Sequence, residues 1–304
     1  MASAGHNTLV VLGPTASGKT RLAVQLARTL GGEILSADSR QVYRGLDIGS
    51  GKDLSEYAEG GALVPYRLID IADLDSEYSV FHFQRDCFAA WEDVTARGSL
   101  PIITGGTGLY LDAVLRGYRM AEVPEDVALR ARLDALDDAA LAAELQTLKP
   151  EQHNTTDTLD RARTIRAIEI TTHEHEHPPE PGPPIRAVVL GALWPREELR
   201  KRIAARLQER LNVGMIEEVE ALHARGVPWE RLDLLGLEYR FVAAYLRGDL
   251  KNRNDLFQKL NAAIAQFAKR QDTWFRRMER NGTEIHWVPE ARLDAALAIL
   301  RTLS

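Results

Sequence analysis

The chain has 304 residues, of which 45% are hydrophobic and 27% charged, and these values are typical of a soluble globular protein. The net charge of −6 argues against wholesale coating of nucleic acid, although it leaves room for a local basic surface. One cysteine, Cys87, excludes an internal disulfide bond and suits a reducing cytoplasm. Neither a signal-peptide pattern nor an apolar run of roughly 18 residues is present, so we expect no contact with a membrane.

Two stretches, residues 1–119 and 185–304, alternate short apolar runs with helical patterns. The runs TLVVLG, EILSADS, YRLIDI and LPIITGG predict four strands in the first stretch, and IRAVVLGAL predicts a strand at the start of the second. Helices are predicted over residues 19–30 and over VFHFQRDCFAAWEDVTARG, with two or three more after the last strand. Strands that alternate with helices over short connections predict a parallel α/β sheet covered on both faces.

Residues 120–184 have a different composition. Ala, Leu, Asp and Arg dominate and runs of β-branched residues disappear, which predicts a small all-helical insertion domain. The segment HEHEHPPEPGPP at its end predicts an irregular linker that returns to the sheet. His173, His175 and His177 alternate with acids there and could bind Zn²⁺, but the proline-rich context favours a solvated linker.

The segment GPTASGKT, residues 13–20, follows the first strand and precedes the first helix. Its G-x-x-x-x-G-K-[ST] spacing is that of a phosphate loop, which is typical of ATP and GTP binding. Backbone N–H groups and the helix N-terminus would hold phosphate oxygens, Lys19 would reach the terminal oxygens, and the Thr20 hydroxyl could ligate Mg²⁺. The motif and the strand pattern predict a P-loop NTPase-like sheet with a diphosphate or triphosphate bound by Gly13, Pro14, Thr15, Ala16, Ser17, Gly18, Lys19 and Thr20.

A phosphoryl-transfer enzyme also needs a carboxylate for Mg²⁺, commonly at the end of a hydrophobic strand. LPIITGG ends in Thr104 and two glycines, with no acid, and Asp70 in YRLIDI is a weak match. The pattern therefore favours a phosphate-bearing substrate that does not donate a phosphoryl group.

Two more loops would lie at the carboxyl edge of the sheet, where ligands bind in open α/β folds. In SADSRQVYRGLDIGSGK, Asp38 could accept a hydrogen bond or a proton from a substrate amine, or it could be the N-cap of the next helix. In GGTGLY, Thr107 offers a hydroxyl beside glycines that allow close approach to a ligand, or the stretch is an ordinary turn.

GPTASGKT, SADSRQVYRGLDIGS and LPIITGGTGLYLDAVLRG, in this order and spacing, resemble the bacterial type of the tRNA dimethylallyltransferase (tRNA isopentenyltransferase) family. GMIEEVEALHARG, GLEYRFVAAYLRG and AKRQDTWFRR resemble it too, so the resemblance spans nearly the whole chain. It implies Mg²⁺-dependent transfer of the dimethylallyl group of dimethylallyl diphosphate to N6 of the adenosine just 3′ of the tRNA anticodon. The phosphate loop would then hold a leaving diphosphate, which explains the missing acid.

The resemblance also implies roles for single residues. Asp38 would be the base that accepts the N6 proton, and Thr107 would hydrogen-bond the bridging oxygen of the diphosphate. Lys19 would neutralise charge that develops on the leaving group. Such chemistry requires that water be excluded from the site and that the adenine be flipped out of the tRNA.

The helix predicted for REELRKRIAARLQERL adds a further candidate. At ~100° per residue, Arg206 lies at the edge of the apolar stripe. We interpret Arg206 as a second diphosphate ligand or as a partner of a buried acid, and Arg202 is the second choice for this role. The stripe consists of Leu199, Ile203, Leu207 and Leu211.

Contacts to the anticodon stem-loop are implied by the same resemblance. AKRQDTWFRRMER is similar to part of the tRNA-binding face, whereas by itself it indicates a solvated helix with a core stripe of Leu260, Ile264, Phe267, Trp274 and Met278. The alternative for the arginines of the insertion is surface pairing, of Asp126 with Arg130 and of Arg166 with Glu169. The predicted tRNA-binding set is Asp38, Ser39, Arg40, Gln41, Thr107, Arg130, Arg163, Arg166, Arg240, Lys269, Arg270 and Gln271.

Three other functions compete with this one: prenylation of free AMP, ADP or ATP, a small-molecule kinase, and a nucleotide-dependent RNA-binding switch without covalent chemistry. The insertion and the AKRQDTW segment favour tRNA as the acceptor, and we expect a cytoplasmic monomer. Residues 50–53 (SGKD) and 155–160 (TTDTLD) depart from the pattern of many family members, mainly on the expected RNA side.

Overall fold

The computed structural model describes residues 5–150, 160–178 and 180–303. Its strands are β1 (Thr8–Leu12), β2 (Gly32–Ser36), β3 (Tyr66–Arg67), β4 (Leu100–Gly105), β5 (Ala187–Leu193) and β6 (Ile285–Pro289). They pair in parallel in the order β3-β2-β4-β1-β5-β6. The sheet confirms the predicted parallel α/β architecture.

Helices follow in chain order between and after these strands. They are α1 (Lys19–Leu30), α2 (Ser55–Ala58), α3 (Val80–Ala96), α4 (Gly108–Leu115), α5 (Val127–Asp134), α6 (Asp138–Leu148), α7 (Arg161–Glu176), α8 (Arg196–Asn212), α9 (Met215–Ala224), α10 (Trp229–Leu234), α11 (Leu237–Leu246), α12 (Arg253–Arg280) and α13 (Leu293–Thr302). Among these helices, none is both long and apolar enough to cross a bilayer.

Side chains of the central strands are buried on both faces of the sheet. Because successive residues of a strand point to opposite faces, Leu9 and Val11 of β1 pack with α1 and α13, whereas Val10 and Leu12 pack with α3, α4 and part of α12. Cys87 lies in the second of these cores, as the apolar face of its helix predicts. A third core joins the apolar stripes of α8, α9, α11 and α12.

The part of the chain after β5 holds more elements than the two or three helices predicted. Helices α8 to α13 follow, and β6 adds a sixth strand at the edge of the sheet beside β5. Gly214, Pro228 and Gly236 stand at the starts of α9, α10 and α11 and divide the sequence into short helices. A five-residue edge strand and helices of six to ten residues are too short for periodicity to identify.

The third strand is shorter than YRLIDI predicts. Only Tyr66 and Arg67 pair with β2, because Leu68 and Asp70 adopt φ angles of 66° and 56°. These values lie in the left-handed region, which a strand cannot include. The backbone N–H of Asp70 instead donates to the carbonyl of Gln41 at 3.1 Å, so the chain turns toward the loop after β2.

The chain divides into two compact units, one formed by Met1–Arg116 with Pro183–Ser304 and the other by Gly117–Gly182. These boundaries lie close to the predicted limits of 120 and 184. The second unit contains α5, α6 and α7 around a small apolar core. Each of these helices begins at an aspartate whose carboxylate accepts a backbone N–H, which is the usual N-cap arrangement; the caps are Asp126, Asp137 and Asp160.

The predicted irregular linker begins later than the sequence suggests. Helix α7 continues to Glu176, so His173 and His175 are helical, and the prediction of irregular structure there is wrong. The helix continues because the first proline comes only at Pro178. The rings of His173 and His177 stack 4.6 Å apart, whereas His175 lies between them in sequence and projects from a different side of α7.

Glu169 is the centre of polar contacts in the second unit. Its buried carboxylate accepts two hydrogen bonds from Arg130, at 2.7 and 2.8 Å, and one from Arg166 at 3.0 Å. The backbone N–H of Asp126 adds a fourth at 3.0 Å. The predicted pair of Arg166 with Glu169 is therefore confirmed. The predicted pair of Asp126 with Arg130 is wrong, because Asp126 caps α5 and Arg130 binds Glu169 and Glu125.

We predict that Glu169→Gln destabilises the second unit by about 1–3 kcal/mol, because arginine donors lose their charged acceptor. Burial opposes ionisation of Glu169, but hydrogen bonds from Arg130 and Arg166 outweigh it and lower the pKa of this carboxyl. Its stabilising contribution is thus present above the ordinary glutamate pKa and is lost as the pH falls through the lowered one. Hydrogen exchange of residues 117–182 against pH measures both effects.

The matched control is Glu144→Gln, which removes a more exposed carboxylate paired with Arg132 in the same unit. We expect it to cost less than about 1 kcal/mol. Equal effects of the two substitutions would contradict a central role for Glu169.

Candidate active site

A cavity of about 1130 Å³ lies at the carboxyl ends of β1, β2 and β4. The loops after these strands line it together with residues 47–56, α8, α11 and α12. Ligands of open α/β sheets bind at this edge. The cavity brings together residues that the sequence predicts from separate motifs, namely Lys19, Thr20, Asp38, Thr107 and Arg206.

The phosphate loop is held from outside through its carbonyl oxygens. Trp194 Nε1 donates to the carbonyl of Ser17 at 2.8 Å, and Arg202 Nε donates to that of Ala16 at 2.8 Å. Because the C=O and N–H of one trans peptide point in opposite directions, the N–H of Gly18, a residue that lines the cavity, points away from Trp194. The loop thus presents backbone donors and the N-terminus of α1 to an anion.

Not every residue of the predicted phosphate-binding set reaches the cavity. Thr15, Ala16, Gly18, Lys19 and Thr20 line it. The remaining residues are part of the loop but do not line the cavity; these are Gly13, Pro14 and Ser17.

Gln271, predicted to contact tRNA, joins two loops of the site. Its Oε1 accepts a hydrogen bond from the N–H of Thr15 at 2.9 Å, and its Nε2 donates to the carbonyl of Gly106 at 2.8 Å. A Cβ at Gly106 would come within 2.4 Å of this Nε2, so any other residue there would displace the Gln271 amide. Gln271 therefore fixes the phosphate loop relative to the loop that carries Thr107.

Asp38 lies half-buried in the cavity wall. Its Oδ1 accepts hydrogen bonds from the N–H groups of Arg40 at 2.9 Å and Gln41 at 3.4 Å. These bonds close a turn rather than cap a helix, since residues 38–45 contain none. Among the described residues, no hydrogen bond involves Oδ2. One carboxylate oxygen thus orients the side chain and the other is available to a ligand.

Thr107 holds the Asp38 loop in place. Its Oγ1 accepts a hydrogen bond from the N–H of Ser39 at 3.1 Å and donates a long one to Ser39 Oγ at 3.4 Å. The N–H of Thr107 donates to the carbonyl of Ala37 at 3.3 Å. The weak donor bond leaves the hydroxyl hydrogen available to a phosphate oxygen in the cavity.

Lys19 extends from the first residue of α1 between these loops. Its Nζ contacts the carbonyl of Pro14 at 3.4 Å, and a Cβ placed on Gly106 would lie 3.5 Å from it. Burial lowers the pKa of Lys19 to about 8, although the Asp38 carboxylate opposes the shift. An ammonium ion with so few contacts gains most from an incoming anion.

The loop of residues 47–53 is fixed by side chains of α9 and α11. Glu218 accepts hydrogen bonds from the N–H groups of residues 47, 48 and 49 at 3.1, 2.6 and 3.1 Å. Tyr239 donates to Glu218 at 2.8 Å and accepts from the N–H of Ser50 at 3.1 Å. A carboxylate that accepts several backbone bonds holds a loop firmly.

Lys52 anchors the same loop and forms an ion pair with Asp70. This lysine is only 2% exposed, and its Nζ donates to the carbonyl of Tyr43 and the carboxylate of Asp47, both at 2.9 Å, and to Asp70. Asp70 thus neutralises a buried cation and does not line the cavity. At the end of β4, Thr104 Oγ1 donates to the carbonyl of Val11. Neither strand end therefore supplies the acid that a kinase needs.

Three arginines, Arg202, Arg206 and Arg210, recur every fourth residue along α8 and line the cavity. Arg206 forms an ion pair with Asp53. Arg210 is buried and lies 3.9 Å from Asp53 and 3.7 Å from Glu238. The ion pair predicted as the alternative for Arg206 is present, but its partner is half-exposed rather than buried, and Arg206 still faces the place where a diphosphate would bind.

The residues predicted to bind tRNA lie in both units. In the sheet unit, those that line the cavity besides Asp38, Thr107 and Gln271 are Ser39, Arg40, Gln41, Arg240 and Arg270. Lys269 is exposed on α12 outside the cavity lining. Gln41 is tied to Ser36 Oγ and the carbonyl of Gly51.

In the insertion, Arg130 and Arg166 bind Glu169 and Arg163 is exposed at the start of α7. Of the divergent stretch 155–160, all but Asp160 lies outside the described residues.

The prediction that Phe267 belongs to the core stripe of α12 is wrong. Phe267 is 38% exposed and lines the cavity, with the guanidinium of Arg270 above its ring at 5.7 Å. The buried face instead continues through Ala268, Gln271 and Phe275. These positions follow the regular spacing of three and four residues, and Gln271 on this face reaches the phosphate loop.

The residues around Thr20 are suited to Mg²⁺. This cation prefers oxygen ligands and keeps several waters while it bridges substrate phosphates. In the described part of the chain, the Thr20 hydroxyl has no hydrogen-bond partner, and the carboxylates of Asp53 and Glu56 line the same cavity. No group of three or more metal-ligating side chains is preassembled among those residues. The diphosphate would therefore supply more of the ligands of the ion than the protein, and Thr20 is the residue that would contribute.

Comparison with known proteins agrees with this geometry. A sequence model described as IPP transferase matches residues 41–278, and one described as isopentenyl transferase matches residues 6–63. The chain belongs to the IPP transferase family. Relatives include tRNA dimethylallyltransferase 2 of Trichlorobacter lovleyi, 61% identical over 95% of this chain and 94% of the relative. That of Pelobacter propionicus is 60% identical over 93% and 89%.

Solved structures of the family share the fold. The tRNA isopentenylpyrophosphate transferase of Bacillus halodurans is 31% identical, with a TM-score of 0.70 over 97% of this chain and 95% of that one. A eukaryotic dimethylallyltransferase acting on tRNA has a TM-score of 0.76 over 95% and 75%, at 21% identity, which supports the fold alone. The predicted P-loop NTPase-like fold is confirmed.

We predict that Gln271→Met lowers kcat/KM by about 10²-fold, because a small displacement of the phosphate loop relative to Thr107 misaligns the reacting groups. Gln84→Met is the matched control, since Gln84 is also buried and donates to a carbonyl, that of Ala113, away from the cavity. Both substitutions should lower the free energy of unfolding similarly. Similar losses of activity in the two variants would contradict the role of Gln271.

We also predict that pyrophosphate binding weakens as the pH rises through about 8, where free Lys19 loses its charge. The bound anion stabilises the charged form, so affinity falls by up to about tenfold per pH unit above that value. Lys19→Arg keeps the charge and should lack this step. Calorimetry at fixed Mg²⁺ compares the two profiles, and identical pH profiles would exclude Lys19 as their source.

Proposed function

We propose that this chain transfers the dimethylallyl group of dimethylallyl diphosphate to N6 of the adenosine 3′ of the tRNA anticodon. The products are N6-(dimethylallyl)adenosine and diphosphate. The observation that carries the proposal is the placement of Asp38 and a phosphate loop in one cavity, while the ends of β3 and β4 supply no acid to that cavity. Relatives named tRNA dimethylallyltransferase, similar over nearly their whole length, support tRNA as the acceptor.

Both bond changes take place at C1 of the transferred group. The N6 lone pair forms a bond to C1 of the dimethylallyl group, while the C1–O bond breaks and its electron pair leaves with the diphosphate. Asp38 accepts the N6 proton through Oδ2, because Oδ1 is held by the backbone of residues 40 and 41. The Thr107 hydroxyl donates to the bridging oxygen on which charge develops.

Cations of the cavity stabilise the leaving group. Lys19 and Arg206 place positive charge beside oxygens whose negative charge grows as the C1–O bond lengthens, so their contribution is larger in the transition state than in the ground state. Bound Mg²⁺ supplies further neutralisation of the diphosphate, and Thr20 is the residue that would hold it. The adenine must leave the anticodon stack to reach Asp38.

A direct assay tests the proposal. The protein is incubated with Mg²⁺, labelled dimethylallyl diphosphate and either unmodified tRNA or AMP. We expect label on tRNA at the adenosine 3′ of the anticodon. Label on AMP alone would indicate an adenylate dimethylallyltransferase, and ATP hydrolysis without prenyl transfer would indicate a kinase-like enzyme; either result overturns the proposal.

Within this function, Asp38→Asn should lower the rate of prenyl transfer by about 10²–10⁴-fold, the usual worth of a general base. Asparagine keeps an oxygen for the N–H groups of Arg40 and Gln41, so binding of dimethylallyl diphosphate should persist. Asp47→Asn is the control, because Asp47 lines the same cavity but contacts Lys52. Single-turnover transfer near the native rate in Asp38→Asn would refute the assignment of the base.

The predicted cytoplasmic location and monomeric state stay predictions. Size-exclusion chromatography with light scattering measures the latter.

A further inference from the structure

The ion pair between Asp53 and Arg206 has no role in the chemistry described so far. Asp53 projects from the loop of residues 47–53 onto α8, where it forms an ion pair with Arg206 and lies 3.9 Å from Arg210. Its side chain is 39% exposed and that of Arg206 is 29% exposed, so the pair lies in the wall of the cavity rather than in the core. Both residues line the space next to Lys19.

The backbone that carries Asp53 is held independently of the pair. Lys52, the preceding residue, is anchored by three oxygen acceptors, and Glu218 and Tyr239 bind the N–H groups of residues 47–50. Asp53 itself has a φ of 37°, in the left-handed region that costs free energy for most residues. Anchored neighbours therefore keep the carboxylate beside Arg206 at the expense of local strain.

The arginines of α8 carry more positive charge than their partners neutralise. Arg202 has no carboxylate within ion-pair distance among the described residues, and its Nε binds the phosphate loop. Burial lowers the pKa of Arg202 and of Arg210, and the charge of Arg206 lowers both further. Like charges at a spacing of four residues repel one another. An anion that reached this face would relieve the repulsion, because Asp53 and Glu238 supply at most two negative charges for the three arginines.

We propose that Asp53 is a built-in competitor of the diphosphate, which occupies Arg206 in the free enzyme and releases it when the substrate binds. The inference rests on the proposed function, since it assumes that the anion of this cavity is a diphosphate. When the diphosphate binds, the Arg206 guanidinium transfers from the Asp53 carboxylate to the phosphate oxygens. The Asp53 carboxylate then lies beside the bound diphosphate, and the repulsion between these two anions favours release of the diphosphate.

This arrangement fits an enzyme whose product is a free diphosphate. Lys19, Arg202, Arg206 and Arg210 together would hold that product tightly after the prenyl group has left. A tightly held product limits turnover, since release is a common slow step of enzymes. A carboxylate that recaptures Arg206 weakens the product complex without removing a cation that the transition state needs.

The test measures binding of inorganic pyrophosphate with Mg²⁺ by calorimetry. Asp53→Asn removes the charge, keeps the shape and tolerates a positive φ. We expect pyrophosphate to bind about two- to fivefold tighter to this variant, the range set by a partly exposed ion pair. In steady state, KM for dimethylallyl diphosphate should fall and product inhibition should strengthen by a similar factor.

Two controls separate direct competition from the general effect of charge. Glu209→Gln removes one negative charge from the same cavity, and no hydrogen bond or ion pair joins Glu209 to Arg206 among the described residues. It should change pyrophosphate affinity by less than about twofold, because exposed charges are screened by salt. In an Arg206→Gln background, Asp53→Asn should not increase the affinity for pyrophosphate, because the arginine for which Asp53 and pyrophosphate compete is absent.

Each outcome decides the inference. Weaker or unchanged pyrophosphate binding in Asp53→Asn, or an equal gain in Glu209→Gln, would overturn it, because Asp53 would then only orient Arg206 or act through net charge. A wild-type protein that binds no pyrophosphate and transfers no prenyl group would instead refute the proposed function. Circular dichroism of Asp53→Asn confirms that the variant is folded.

Discussion

The two hydrogen bonds of Gln271 are the link on which the cavity depends. They tie the N–H of Thr15, in the phosphate loop after β1, to the carbonyl of Gly106, in the loop after β4. Adjacent parallel strands set these loops side by side, but strand pairing ends at Gly105 and cannot fix the loops beyond it. A buried amide with both ends satisfied defines their distance, and it does so from a helix packed in two of the cores.

Charge is the second constraint on this site. The cations of the site lie on α1 and α8, and the acids lie on the loops after β2. The two sets partly neutralise each other before any substrate binds. Lys19 shows the cost of this arrangement, because burial makes its ammonium easier to deprotonate. Under the proposed function a diphosphate would restore the balance, and the residues that bind it would also stabilise the transition state. Among the described residues, Asp38 forms no ion pair, and its Oδ2 would be the proton acceptor under the proposed function.

The parts of the site that sequence reasoning identified share one property: each is local. The phosphate loop, Asp38 and Thr107 directly follow buried strands, and the carboxyl ends of parallel strands meet at one edge whatever the rest of the fold does. Glu218 and Tyr239 were missed because their partners in the loop of residues 47–50 lie far away in sequence. Lys52 was missed because a lysine in a polar stretch gives no sign of burial. Gln271 was predicted to contact tRNA, but its partners Thr15 and Gly106 were not predicted.

The sequence by itself determined the sheet, the position of the phosphate loop at its edge, and the family, because periodicity and contiguous motifs are written within single segments. Tertiary structure alone decided that Arg206 faces Asp53, that Asp70 neutralises Lys52 rather than a metal, and that Phe267 lines the cavity instead of the core. Such outcomes depend on which charges and side chains meet across distant segments. Only the folded chain brings these segments together, so local patterns cannot encode the result.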